Sequence, residues 1–234
     1  MRAKKYILLK HRIFLKAGRM KEYDIYLFDC DGTLIDTSEL IYQSYVETCR
    51  DWNAAPPRRS DVYAHIGIPL RTQIERYLGP LSEGEYMQAQ KLYMDYQYAR
   101  AENALKIFPG IEVLLRSLRN AGKKTAVVTS RRRESLLRYL ALFNLECCFD
   151  ELITPEDTTT HKPEPGPVLE ALHRFAAGTS LFIGDSLFDI ESGNAAGVDT
   201  AFVSWSKTPL PQKTIPTFTV KTPRDIFTAE QTHE

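Results

Sequence analysis

Short apolar runs alternate with longer stretches of helical periodicity along most of the chain. Ile25–Phe28, Thr125–Val128, Leu181–Ile183 and Thr200–Val203 are rich in β-branched and aromatic residues and have the length of buried strands. Glu151–Thr154 supplies another strand, and Phe218–Val220 a terminal one. Between them, Ile111–Ala121, Glu134–Phe143, Pro167–Phe175 and Phe188–Ala196 space their apolar residues as helices do. Strand and helix in alternation predict an α/β chain with a Rossmann-like, doubly wound parallel sheet.

Residues 38–104 break that alternation. Leu40, Ile41, Tyr45 and Val46, then Leu70, Ile74, Tyr77 and Leu78, then Met87, Leu92, Met94 and Tyr96 recur at helical spacing, with no convincing strand among them. A helical run between the first and second strands predicts an inserted α-helical cap domain over 38–104. The core is then 22–37 together with 105–234. Pro109 and Gly110 give turn chemistry where the chain re-enters it.

Composition changes this picture little. The chain has 234 residues, 43% hydrophobic and 26% charged, which suits one large globular unit or one with an insert. No apolar run approaches a bilayer-spanning length. Cys30, Cys49, Cys147 and Cys148 show neither metal-binding nor disulfide-framework spacing, as expected of reduced thiols in a cytoplasmic protein.

Charge does add something. Of 30 basic and 30 acidic residues, eight basic and no acidic ones fall within residues 1–21, so the remainder carries 22 against 30. The leader also holds Ile7, Leu8, Leu9, Ile13, Phe14 and Leu15, so a basic amphipathic helix on a membrane is one reading. A dispensable extension ahead of Met20 is the favoured one, because the apolar run is short and interrupted by charge. Nucleic-acid binding is disfavoured, since the basic residues sit in one terminal run and the rest is acidic.

The chemistry concentrates where the first strand ends. Asp29 and Asp31 follow Ile25–Phe28, with Gly32 behind them. Ligands of open α/β sheets sit at that end of a strand. Two residues apart on an extended backbone, the two carboxylates point the same way and repel unless a cation or a proton lies between them. The pair suits a divalent metal and a carboxylate nucleophile. The plainer reading is a polar Asp-Gly turn. Cys30 between them points to the opposite face and packs there.

Three further segments decide against the plain turn. Thr125–Ser130 is a strand ending in Thr129 and Ser130, His161–Pro165 places Lys162 before a proline-rich helix start, and Leu181–Asp189 is a strand running into Gly-Asp-x-x-x-Asp. With the Asp-x-Asp-Gly-Thr of residues 29–33, these resemble in order the four motifs of the haloacid dehalogenase superfamily, the aspartate-nucleophile phosphohydrolases. The likeness runs from Glu22 to about Thr222. The insert after the first motif is similar to the α-helical cap of the superfamily's phosphoglycolate phosphatase and pyrophosphatase branch.

The resemblance implies roles. Asp29 is the nucleophile that forms an aspartyl-phosphate. Asp31 is the general acid and then the base, with its backbone carbonyl a metal ligand. Thr129 and Ser130 bind phosphate, and Lys162 balances the charge of nucleophile and phosphate. Asp185 coordinates Mg²⁺ with Asp29, the hard oxygen set favouring magnesium over zinc. Asp189 is a second ligand or an outer partner, with a helix-first-turn acid as its plainer reading. In the cap, His65 and Arg71 flank the bend of Gly67 and Pro69 and are candidates to read the substrate. Ile41 stands where related sugar phosphomutases carry His, and Asp31 is an acid that the dehalogenases lack, so neither activity is expected. The expected function is a Mg²⁺-dependent phosphatase acting on a small phosphomonoester such as phosphoglycolate. The alternatives are an inorganic pyrophosphatase or a non-catalytic protein that binds a phosphate ligand.

Overall fold

The structure is a computed structural model in which residues 20–209 and 214–227 are described. The expectations for the leader therefore lie outside the described residues up to position 19. Strand β1 (Ile25–Phe28) is followed by the two-residue β2 (Ile35–Asp36) and helices α1 (Ser38–Asp51), α2 (Arg59–Ala64), α3 (Leu70–Leu78) and α4 (Glu83–Ala104). The chain returns through β3 (Lys106–Ile107) and α5 (Ile111–Asn120) to β4 (Lys124–Val128), α6 (Arg133–Leu142) and β5 (Glu151–Ile153). It finishes with α7 (Gly166–His173), β6 (Ser180–Gly184), α8 (Leu187–Ala195), β7 (Asp199–Val203) and β8 (Phe218–Val220).

Six strands form one parallel sheet in the order β5-β4-β1-β6-β7-β8, and the doubly wound α/β fold is as the alternation predicts. Both faces of the sheet are buried, because the strands are apolar at odd and even positions alike. Tyr26, Phe28, Val127, Leu181 and Ile183 pack on one face against Leu114, Leu115 and Leu118 of α5 and Leu136 and Leu140 of α6. Ile25, Leu27, Ala126, Val128 and Phe182 pack on the other against Val168 and Ala171 of α7. Cys30 joins the first of these cores, fully buried, and burial pushes its thiol well above the ordinary range.

β1 lies between β4 and β6, and the pairings fix the site. Phe28 is opposite Val127 on one side and Ile183 on the other. Asp29 thus leaves the sheet level with Val128 and Gly184, and Thr129 and Asp185 emerge one step beyond. Three chemistry-bearing positions reach one edge without any long-range coincidence beyond strand register.

The four helices of residues 38–104 gather a separate apolar cluster. Ile41, Tyr45, Val62, Ile66, Ile74, Ala89 and Tyr93 form it, with Tyr45 and Tyr93 ring centroids 4.7 Å apart. Helix α4 starts in a reciprocal cap in which Ser82 and Glu85 satisfy each other's backbone N–H groups. Sequence periodicity gave no hint of β2 and β3. They pair antiparallel, Ile35 with Ile107 and Asp36 with Lys106, at the point where the chain leaves the core and comes back.

Candidate active site

Lys162 is the centre of the cluster. It lies on the loop between β5 and α7, and its side chain is 1% exposed. Its ammonium donates to Asp29 Oδ1 at 2.7 Å, to Asp189 Oδ1 at 2.6 Å and to the Val128 carbonyl at 3.3 Å. Asp189 is held from its other side, where Oδ2 accepts from the backbone N–H and hydroxyl of Ser186 at 3.0 and 2.6 Å. It is thus the reciprocal capping acid of α8 and a partner of Lys162 at once. Asp185 Oδ2 accepts from the Thr208 hydroxyl at 2.6 Å, while its Oδ1 is buried without a hydrogen-bond partner among the described residues.

One oxygen from each of Asp29, Asp185 and Asp189 lies within 4.8 Å of the others, and all three residues are buried. One ammonium against three carboxylates leaves two negative charges. Burial cannot tolerate that surplus, so it appears as proton affinity. Desolvation pushes Asp29 well above the ordinary carboxylate range despite the opposing Lys162, and Asp189 adds to the rise. Burial and then the charge of Asp189 push Asp185 up to about 7. Burial alone would lower Lys162, but Asp189 and Asp29 outweigh it and hold the ammonium above its ordinary value. The three carboxylates, the unpartnered Asp185 oxygen and a surplus charge of two fit a divalent cation with hard oxygen ligands. Gly32 adds shape. At φ +82° it turns the chain under the site, and a Cβ there would fall 2.1 Å from Asp185 Oδ2.

Asp31 stands apart. An extended strand would point both acids the same way with a cation or a proton between them, whereas in the structure each has its own cation, Lys162 for Asp29 and Arg131 for Asp31. Arg131 grips Asp31 with two nitrogens, Nε at 3.1 and 3.0 Å from its two oxygens and Nη2 at 2.7 Å from Oδ1. The guanidinium is buried. It stacks 4.2 Å from the centroid of Tyr139, donates to the Ser135 hydroxyl at 2.6 Å and reaches Gln97 Oε1 of α4 at 3.2 Å. Asp31 outweighs the burial of Arg131 and keeps its cation well above its ordinary value. The Asp31 side chain is not among the three carboxylates, Asp29, Asp185 and Asp189, whose oxygens cluster together.

Sequence reasoning missed Arg131 and Gln97. Arg131 is one of three consecutive arginines, and only the fold distinguishes it from Arg132, which pairs with Glu156 at the surface. Gln97 sits mid-helix among polar residues, and nothing local marks it as fully buried.

A cavity of about 50 Å³ lies between the core and the helical insert. Asp29, Asp31, Thr129, Ser130 and Arg131 line it from the core, and Ile66, Gly67 and Ile68 from the insert. Thr129 accepts the Arg131 backbone N–H at 3.1 Å. Ser130 donates its hydroxyl to the Gly67 carbonyl at 2.5 Å, which seats the bend of the insert on the core. Gly67 takes φ +106°, and a Cβ there would stand 3.1 Å from the Ser186 hydroxyl.

His65 and Arg71 do not line the cavity. His65 Nδ1 lies 2.7 Å from the Asp61 carbonyl, one helical turn back. Arg71 pairs with Glu75 at 3.0 Å and Glu83 at 2.5 Å and lies over the Tyr86 ring. Both side chains find their partners within the insert itself. The bend between them reaches the cavity through backbone and apolar side chains instead.

The sequence pattern of the haloacid dehalogenase-like hydrolases matches residues 26–203. A relative from Caldanaerobacter subterraneus subsp. tengcongensis, provisionally named pyrophosphatase PpaX, is 40% identical over 78% of this chain and 82% of its own length. Pyrophosphatase PpaX of Halalkalibacterium halodurans is 32% identical over 79% of this chain and 85% of its own. Among solved structures, a protein of Lactobacillus plantarum provisionally described as a phosphoglycolate phosphatase superposes with a TM-score of 0.77 at 26% identity, covering 88% of this chain and 98% of that one.

Proposed function

The chain belongs to the haloacid dehalogenase-like hydrolases and is a phosphatase-type enzyme, and from that premise we propose that it is a Mg²⁺-dependent phosphatase working through an aspartyl-phosphate on Asp29. One observation carries the reading: Lys162 joins Asp29 to Asp189 in a buried cluster with Asp185, beside a cavity that Thr129 also lines. Phosphoryl transfer asks a protein chiefly for positioning and for compensation of negative charge. This cluster supplies both.

Asp29, Asp185 and Asp189 are the residues that would hold the cation, with the Asp31 backbone carbonyl as a further oxygen. The metal would neutralise the phosphoryl oxygens and keep the Asp29 carboxylate ionised. An Asp29 oxygen attacks phosphorus in line, the bond from phosphorus to the leaving oxygen breaks, and Asp31 gives that oxygen a proton. Asp31 then takes a proton from the water that opens the acyl-phosphate, restoring Asp29 and releasing phosphate. Lys162 balances the charge of nucleophile and phosphoryl group, and the Thr129 hydroxyl binds a phosphoryl oxygen. For Asp31 to move protons, its two-nitrogen contact with Arg131 has to loosen. Both side chains line the same cavity, so the exchange is local.

The substrate is a small phosphorylated metabolite. Phosphoglycolate is the type of phosphomonoester expected, and hydrolysis takes place in the cytoplasm. The second reading is inorganic pyrophosphate. It is supported by the names of the relatives above and by a cavity with room for a few waters or one compact anion. Among the described residues, no helix is long and apolar enough to cross a membrane.

The test is Asp29→Asn, assayed by phosphate release with Mg²⁺ against a panel of phosphoesters and pyrophosphate. Turnover falls by at least about 10³-fold, since an amide cannot form the acyl-phosphate, while melting stays close to wild type. Retained metal-dependent turnover would sink the covalent mechanism. The ranking of specificity constants across the panel decides between the phosphomonoester and pyrophosphate.

A further inference from the structure

The segment after β7, residues 204–209, crosses the open edge of the site and belongs to none of the four motifs. Three of its side chains tie it to functional chain elements. The indole N–H of Trp205 donates to the Thr33 carbonyl at 3.1 Å, within the turn that carries Asp31. Lys207 pairs with Asp36 of β2 at 3.0 Å. Thr208 donates its hydroxyl to Asp185 Oδ2 at 2.6 Å, and its own backbone N–H is fixed on the Ser206 hydroxyl at 3.0 Å. The segment starts from an anchored point as well, with both the N–H and the hydroxyl of Ser204 on the Val220 carbonyl, at 2.9 and 3.0 Å.

The two oxygens of Asp185 therefore have opposite fates. Oδ2 is enclosed, with the Thr208 hydroxyl bonded to it and the backbone of Gly32 so close that a Cβ there would stand 2.1 Å away. Oδ1 is equally buried and makes no hydrogen bond among the described residues, although the Ser206 hydroxyl stands close enough to the carboxyl to lower its proton affinity beside Thr208. An unpartnered carboxylate oxygen inside a protein costs its full desolvation unless something else binds it. A carboxylate is symmetric and free to rotate about its last bond, so an outside contact is needed to decide which oxygen stays open. Outer hydrogen bonds of this kind set how well a ligand presents itself to a metal.

We infer that Thr208 is a positioning residue for the metal ligand Asp185: its hydroxyl takes Oδ2 and leaves Oδ1 free for the divalent cation. The inference rests on the metal reading of the site above and adds a residue to it. The cation reaches an acid whose rotation is already fixed. Trp205 and Lys207 hold the segment so that the Thr208 hydroxyl arrives at that one height over the site.

The experiment measures binding of Mg²⁺ alone to the full-length protein by titration calorimetry, and the Mg²⁺-induced rise in melting temperature. Wild type is compared with Thr208→Val, Thr208→Ala and Thr208→Ser. Thr208 is partly exposed, and Val keeps its shape while removing only the hydroxyl. The expected result is a Mg²⁺ dissociation constant weakened about tenfold or more in Val and Ala, with Ser within about threefold of wild type. Melting of the metal-free Val and Ala proteins falls by a similar small amount, because the buried Oδ2 loses its donor, while Ser stays with wild type. The rescue by Ser separates the hydroxyl from general packing, and the Ala–Ser pair carries the same comparison independently of Val. Val and Ala variants that bind Mg²⁺ as wild type does overturn the role of Thr208 while leaving the metal site standing. A wild-type protein that shows neither heat nor thermal shift with Mg²⁺ overturns both.

Discussion

Lys162 and Arg71 are both cations that the sequence offers to an anionic substrate, and the fold treats them in opposite ways. Lys162 draws its partners from positions 133 and 27 residues away, and its side chain is 1% exposed. Arg71 draws its partners from 4 and 12 residues away and is 43% exposed. A charge that is buried between distant strand ends has no water to fall back on, so its partners are structural and chemical at once. A half-exposed charge paired with its own helix and the start of the next, as Arg71 is with Glu75 and Glu83, is worth little, and its loss is absorbed by solvent. Burial together with distant partners therefore marks the site, since distant partners alone also occur at the surface, as in Lys207 with Asp36.

The sharpest way to break this contrast is Lys162→Met. It removes the ammonium and leaves Asp29 and Asp189 buried without their counter-charge. Stability falls by about 3–5 kcal/mol, as expected when one member of a buried ion pair is deleted. Turnover falls by at least about 10²-fold. Chemical denaturation and steady-state phosphate release read the two losses. A fall in turnover with unchanged stability would show that the lysine is not the structural keystone that its burial implies.

The next effect is smaller and depends on pH. Asp185 binds its proton up to about pH 7 in the folded chain, and Asp29 is also raised, both chiefly through burial. In the unfolded chain such acids ionise near pH 4. Between those values the folded state holds more protons than the unfolded one, so these groups contribute stability at low pH and lose it as pH rises toward 7. A protein stripped of metal with chelator should show this loss as a falling melting temperature from pH 5 to pH 8. Mg²⁺ should cancel it. Because the cation displaces protons, its apparent affinity should rise by up to about tenfold per pH unit between pH 6 and 7 for each proton released. Calorimetry in two buffers of different ionisation enthalpy counts those protons, and zero release would refute the assignment.

At the small end stands Arg71→Gln. Specificity constant and melting temperature should both stay near wild type, within about twofold for the former, as for exposed ion pairs generally. A large rise in KM would instead return Arg71 to the substrate and mean that the insert moves it there during turnover.

What was legible in the sequence is what local pattern controls. β1 is Ile25–Phe28 as its apolar run suggests, and helices α5 to α8 fall within a residue or two of their periodicity. Asp29, Thr129, Lys162, Asp185 and Asp189 were named because the four segments that hold them resemble the superfamily's motifs, and strand register and one loop bring them to the same edge of the sheet. Arg131, Gln97 and Thr208 were not, because their importance lies in partners 100, 34 and 23 residues distant. The same holds for β2 and β3. Two residues each are too few to show a period of two, and they exist only by pairing with one another.

That small ribbon has a consequence for how such a chain can change. Ile35 faces Ile107 and Asp36 faces Lys106, and the Phe108 N–H closes on the Leu34 carbonyl at 3.1 Å. Departure and return are thus neighbours, about one strand spacing apart. Whatever is spliced between them imposes the same end-to-end distance on the parallel sheet, whether it is long or short. Asp29 and Lys162 would keep their separation through replacement of every residue from 38 to 104. The inserted helices can therefore be rewritten while the sheet edge keeps its geometry, apart from the seats that Gln97 and Gly67 give to Arg131 and Ser130.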